Sequence, residues 1–273
     1  MYTPFNLKID LTDIILLSSK ELREYTKTGC ERKQLIESEI GSNLKEYVKD
    51  GVIDGSKLSD EWFKTIKSDV FISYSHNDEE IAMVLSGYLE KEFGLNIFVD
   101  SFFWGSADAL LKDIDDTYCK KDCGEYDYQK SNFSTSHVHA MLSTAIIKVM
   151  DQSEIVIFLN TDNSIPKVDN TILESYTQSP WIYEEIIFAS LLRKRHWSTH
   201  RSIPMYEFAE RKLQVEYRVP LLGMKEISIE TIVDWKKKYD TWLNIEKHYG
   251  DLLSSGVTHP LNCLYKMLFG EKE

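Results

Sequence analysis

Trp181 and Glu185 lie four apart, a spacing that stacks an indole beside a carboxyl on one face of a helix. Alone, such a pair is ordinary. It gains weight from a second stretch, Ser73, Tyr74, Ser75, His76, Asn77 and Asp78, which sets hydroxyls, rings and a carboxylate directly after Val70, Phe71 and Ile72. That short β-branched and aromatic run suits a strand covered on both faces inside a parallel sheet. Open α/β sheets bind ligands at the carboxyl ends of their strands, where this polar turn falls. A third cluster, Cys119, Cys123, His137 and His139, offers two thiolates and two imidazoles, a donor set that suits tetrahedral zinc. Cys-x3-Cys with His-x-His is not a common finger spacing, so the expectation is no metal and no resident cofactor.

The elements that must position these groups follow from pattern. Asp78 is expected to cap a helix whose first turn is acidic (Glu79, Glu80) and whose apolar residues Ile81, Leu85, Tyr88 and Leu89 recur at helical spacing. Gly94 suits its end, and Leu95–Asp100 reads as a second strand. Ser153–Thr161 is the clearest central strand, with a polar end at Asn160, Thr161 and Asp162. A polar loop, Asp162–Gln178, then delivers Ser179 as N-cap and Pro180 at the first position of the helix that carries Trp181 and Glu185. Ile182, Ile186 and Ala189 form its apolar stripe. Glu184, about 100° around that helix from Glu185, reads as a solvated acid. Arg193, Lys194, Arg195 and His196 suit the negative end of the helix dipole. Arg218–Leu222 reads as the last strand, at an edge because of Pro220.

The stretches DVFISYSHNDE, GLNIFVDS and WIYEE together resemble the Toll/interleukin-1 receptor (TIR) domain of bacterial proteins, over Lys67–Gly223. The resemblance implies an α/β, flavodoxin-like fold with a central parallel β-sheet flanked by helices. It also makes Ser101–Asp108 the BB loop, with Phe102, Phe103 and Trp104 in a turn, available to a neighbouring subunit or to a nucleotide base. The family's Trp-Cys-x-x-Glu motif reads Trp181, Ile182, Tyr183, Glu184, Glu185, with Ile182 in place of the Cys. Enzymes of the family use that Glu to cleave NAD+. The resemblance therefore implies Glu185 as catalytic residue, with Tyr74, Ser75, His76, Trp104 and Trp181 binding NAD+ as the substrate. It further implies self-association through the BB loop and an ADP-ribose-derived signal that reaches a separate effector, as in Thoeris-type anti-phage defence. A non-catalytic TIR scaffold and an NAD-depleting toxin are the alternatives.

Composition narrows the classes further. The 273 residues, 42% of them hydrophobic, can bury a sizeable core, and a formal net charge of −12 repels a phosphate backbone and argues against nucleic acid as partner. The longest apolar run, Ile14–Leu17, is too short to span a bilayer, and the N-terminus lacks a basic region followed by a hydrophobic segment, so the expectation is a cytoplasmic chain without a membrane partner. Four cysteines over this length do not make a disulfide framework. Residues 1–66 show helical patterns broken by glycines such as Gly29 and read as a helical extension. Residues 67–225 form the TIR domain, with a polar insertion about 113–139, and 226–273 a C-terminal helical segment packed on it.

Overall fold

A computed structural model describes residues 3–9, 13, 18–38, 43–49, 52–121, 123–166, 176–195, 224–249 and 259–270. In chain order the main elements are β1 (Thr3–Lys8), α1 (Ser19–Ser38), the short hairpin β2 (Val48–Lys49) and β3 (Val52–Ile53), α2 (Gly55–Trp62), β4 (Val70–Ser73) and α3 (Glu79–Phe93). There follow β5 (Ile97–Val99), α4 (Ser101–Ile114), α5 (Tyr128–Gln152), β6 (Ile155–Asn160), α6 (Pro180–Leu191), β7 (Lys225–Ser228), α7 (Ile229–Tyr249) and α8 (Pro260–Phe269).

Five strands form one parallel sheet in the order β5-β4-β6-β1-β7. The fold class read from the sequence holds: this is an α/β protein with a flavodoxin-like central parallel sheet between helices. From β4 the chain runs outward to β5 and then crosses back over to β6, so the strand order reverses between β4 and β6. Such a switch point opens a crevice at the carboxyl ends of the strands.

The N-terminus departs from expectation. Thr3–Lys8 is a strand of the main sheet, paired with β6 on one side and β7 on the other, although residues 1–66 read as a helical extension outside it. Pro4 and Asn6 interrupt its apolar run, leaving only Phe5 and Leu7 as strand markers, and both are fully buried. The sheet therefore draws on both sides of the boundary at residue 66. Gly29 does not break its segment either. It lies inside α1 where that helix meets α3, and a Cβ there would stand 2.2 Å from the Met83 carbonyl oxygen; at Gly87 on α3 it would stand 1.9 Å from that of Tyr25. These glycines let the two backbones touch.

At the other end, Arg218–Leu222 lies outside the described residues, and the fifth strand of the sheet is Lys225–Ser228. The C-terminal helices pack back onto the sheet layer: Trp235 stacks on Phe93 of α3 at 4.0 Å, and its indole N–H donates to the Pro260 carbonyl at 2.9 Å. Among the described residues no helix is long and apolar enough to cross a membrane.

Candidate functional site

The register of β4 against β5 pairs Phe71 with Phe98 and Ile72 with Val99, and the two Phe rings stack at 5.5 Å. One step further, the parallel strands deliver Ser73 and Asp100 side by side at their carboxyl ends, on the face that carries the stacked rings. A third element completes the group. Ser179 caps α6 through Ile182 N–H (3.3 Å) and Pro180 occupies its first turn, as the sequence predicts, so the helix starts where Glu185 turns inward towards Ser73. The Ser73 hydroxyl donates to Glu185 Oε2 at 2.5 Å.

Glu185 is 2% and Asp100 4% exposed. Burial removes the water that stabilises a charged carboxylate, and it pushes Glu185 well above the usual carboxylate range; the neighbouring Asp100 charge pushes in the same direction, while the Ser73 hydroxyl opposes. Asp100 is pushed up to about 7, chiefly by burial and against the pull of hydrogen bonds from the backbone of Ser101 and Tyr74. Its Oδ1 accepts the Ser101 N–H at 2.6 Å, which starts α4 directly after the strand. Glu185 Oε1 is buried without a hydrogen-bond partner, and the buried Asp100 carboxyl is its charged neighbour. Two ionised carboxylates are acceptors only, so a contact between them requires one proton, held by the pair whose carboxyls are both raised.

Rings flank the pair. Trp181 packs edge-on against Trp104 (4.0 Å) and against His139 (4.9 Å), and Trp104 in turn meets His76 at 6.2 Å. Tyr74, next to Ser73, is 4% exposed, and its phenol is pushed up, first by burial and then by the Asp100 charge. Of the residues expected from the sequence, the structure thus gathers Glu185, Trp181, Trp104, His76 and Tyr74. Ser75 is half-buried, starts the short turn His76–Asp78, and has no described contact with Glu185.

Several expectations need correction. Ser101–Asp108 is not a loop but the first part of α4, and Phe102 and Phe103 are fully buried against Phe98 (5.6 and 4.8 Å). Phe103, Ala107, Leu110 and Ile114 form a buried stripe at helical spacing, which turns the rings of this segment into core; only Trp104 is half-exposed at the site. Asp78 precedes α3 without capping it; its carboxylate binds Thr161 and Asn163 instead. Glu184 is half-buried rather than solvated, and burial raises its carboxyl. Arg195 of the basic cluster is engaged by Asp151 at 2.6 Å. The later part of the polar insertion about 113–139 is helical: α5 is one helix of 25 residues from Tyr128.

Type and spacing give Asp100 and His139 no place in this site, and they put Ser73 in the polar turn without a role towards Glu185. The legible signal for Ser73 and Asp100 was their shared position, one residue beyond the apolar run of neighbouring strands. As for metal, no group of three or more His, Cys, Asp or Glu converges among the described residues. His137 lies against Phe133 and His139 against Trp181, because two residues along a helix turn the side chain to nearly the opposite face. All four cysteines are free.

No protein-family model matches this chain, nor does any curated protein or any solved structure.

Proposed function

We propose that this protein cleaves the bond between nicotinamide and ribose in NAD+, as a cytoplasmic nucleosidase or ADP-ribosyl cyclase whose ADP-ribose-derived product acts as a signal in bacterial anti-phage defence. The observation that supports it most is Glu185, a buried acid held by Ser73 at the carboxyl edge of a parallel sheet, four residues after Trp181. The family resemblance of the same residues supplies the substrate.

The chemistry asks little of an acid catalyst, since the leaving nicotinamide is already cationic in NAD+. When the C1′–N bond breaks, its electron pair stays on the ring nitrogen and neutral nicotinamide departs. The positive charge passes to the ribose, where a carboxylate stabilises it. Glu185 and Asp100 share one proton at rest, and an entering pyridinium cation beside Glu185 favours leaving that proton on Asp100, because an opposite charge nearby lowers a carboxyl pKa. Ser73 then holds Oε2 and leaves Oε1 for the ribose. Water adds at C1′ and its proton leaves to solvent; an adenine nitrogen of the same molecule adding there instead gives a cyclic product. Trp104 and Trp181 supply flat faces for the rings.

Self-association is part of the reading, and with Phe102 and Phe103 in the core it falls to the surface around Trp104. A Trp104→Ala chain that stays monomeric yet turns over NAD+ at full rate removes that element. The near-complete burial of Glu185 favours a second reading, a non-catalytic module that only pairs with similar domains. Incubating the full chain with NAD+, with and without phage-infected lysate, and quantifying nicotinamide and ADP-ribose products by mass spectrometry separates the two. Absence of nicotinamide release under every condition leaves the module.

A further inference from the structure

A large cleft lies away from the carboxyl pair, between the β2–β3 hairpin and α2 on one side and the junction of α4 with α5 on the other; its volume is about 940 Å3. Neither Ser73, Asp100 nor Glu185 lines it. Ligand sites fall in roughly the 300–1,000 Å3 range and are mostly apolar with a few convergent polar groups. This cleft has that composition. Ile53, Leu58, Ile114 and Met141 supply aliphatic walls, and methionine adapts its shape to a flexible guest. Val52 and Phe133, also lining the cleft, are each 69% exposed, an apolar rim left to water.

The polar groups gather on α5. Lys130, Ser134 and His137 recur at helical spacing and share one face, which is the face lining the cleft. The Ser134 hydroxyl is turned to Asp115. The Lys130 ammonium reaches the Tyr118 carbonyl at 3.4 Å, a long contact, and forms no ion pair among the described residues. The nearby Asp127 carboxylate caps the helix through Gln129 N–H (3.0 Å) and Lys130 N–H (3.2 Å), pairs with Lys121 at 3.8 Å and feels the Lys130 charge without a direct ion pair to it. His137 lies edge-on to the Phe133 ring at 4.4 Å. An exposed cation with no ion pair within 4 Å among the described residues, sensed only at longer range by Asp127, therefore lines an otherwise largely aliphatic cleft.

We propose that this cleft binds a free aliphatic monocarboxylate, its chain along Ile53, Leu58, Ile114 and Met141 and its head group at Lys130 with His137 beside it. The site does not depend on NAD+ cleavage and stands or falls separately. The probe is laurate, with dodecanol as its neutral counterpart, in equilibrium dialysis against the full chain. Wild type binds about one laurate per chain, and more tightly than dodecanol. Lys130→Glu, an exposed change, weakens laurate at least about tenfold, as loss of one charged hydrogen bond does, and leaves dodecanol unchanged. Met141→Trp puts a rigid indole into the aliphatic wall and weakens binding of both, with thermal melts of the ligand-free variant confirming that it folds. No laurate binding, dodecanol binding as tight as laurate, or laurate binding indifferent to Lys130→Glu each overturns the proposal, and the last holds even if Met141→Trp does not fold.

Discussion

Two buried acids at the same edge of the sheet have opposite surroundings. Asp78 is 3% exposed and saturated: the Thr161 hydroxyl donates to Oδ2 at 2.6 Å and the Asn163 amide to Oδ1 at 2.7 Å. Thr161 is itself held, its N–H donating to Ser164 Oγ (2.9 Å), which donates to the Leu159 carbonyl (2.8 Å). Glu185, equally buried, has one donor for two oxygens and a second acid for a neighbour. A saturated network fixes the loop after β6 beside the turn after β4, which is a structural task. A donor-starved Glu185 set beside a second buried acid costs folding energy for no packing gain, the arrangement expected where a carboxyl is kept for chemistry.

The widest separation between the two acids lies in activity. Glu185→Gln keeps the shape and removes the charge, so nicotinamide release falls on the order of a hundredfold or more, while the melting temperature stays level or rises. A variant that cleaves NAD+ at the wild-type rate would end the proposed mechanism.

Asp78→Ala reverses the pattern. It leaves the Thr161 and Asn163 donors without their buried acceptor, at a cost of about 2–4 kcal/mol, read as a lower denaturant midpoint with an unchanged slope. If the midpoint holds, the saturated network is not what secures the loop.

Stability against pH tests the Glu185–Asp100 pair alone. Both folded carboxyls are raised, Asp100 to about 7 and Glu185 in the same direction, above an unfolded value of roughly 4. Between those limits the folded state binds more protons than the unfolded one. The stability from the protonated pair is thus full below about pH 4 and is lost as pH rises through 7 and beyond. Asp100→Asn removes one charge and offers an amide donor to Glu185 Oε1, so its melting temperature exceeds that of wild type by several degrees at pH 8. Near pH 4 the gap closes. A gap that widens towards acid contradicts the shared proton.

The smallest effect sharpens the assignment within α6. Glu184→Gln changes an acid that is also raised by burial but whose hydrogen-bonding neighbour is Ser143 on α5. Most nicotinamide release should survive, and a loss equal to that of Glu185→Gln would point to the helix rather than to the carboxyl.

Local signals in the sequence determined the individual units. A polar-free run such as Val70–Ile72 or Ile155–Leu159 satisfies a buried strand whatever surrounds it, and Ser179–Pro180 starts a helix through its own hydroxyl and fixed backbone angle. The Trp181–Glu185 spacing was visible for the same reason. Tertiary structure decided what depends on partners far away in the chain. Thr3–Lys8 is a strand because β6 and β7 accept its backbone, despite Pro4 and Asn6. Phe102 and Phe103 are core because Phe98 waits beneath them, so the segment expected as an exposed loop winds into a helix. Asp78 and Glu185 are the same kind of acid in sequence; only the donors brought to one by Thr161 and Asn163, and the carboxyl brought to the other by Asp100, give them different chemistry.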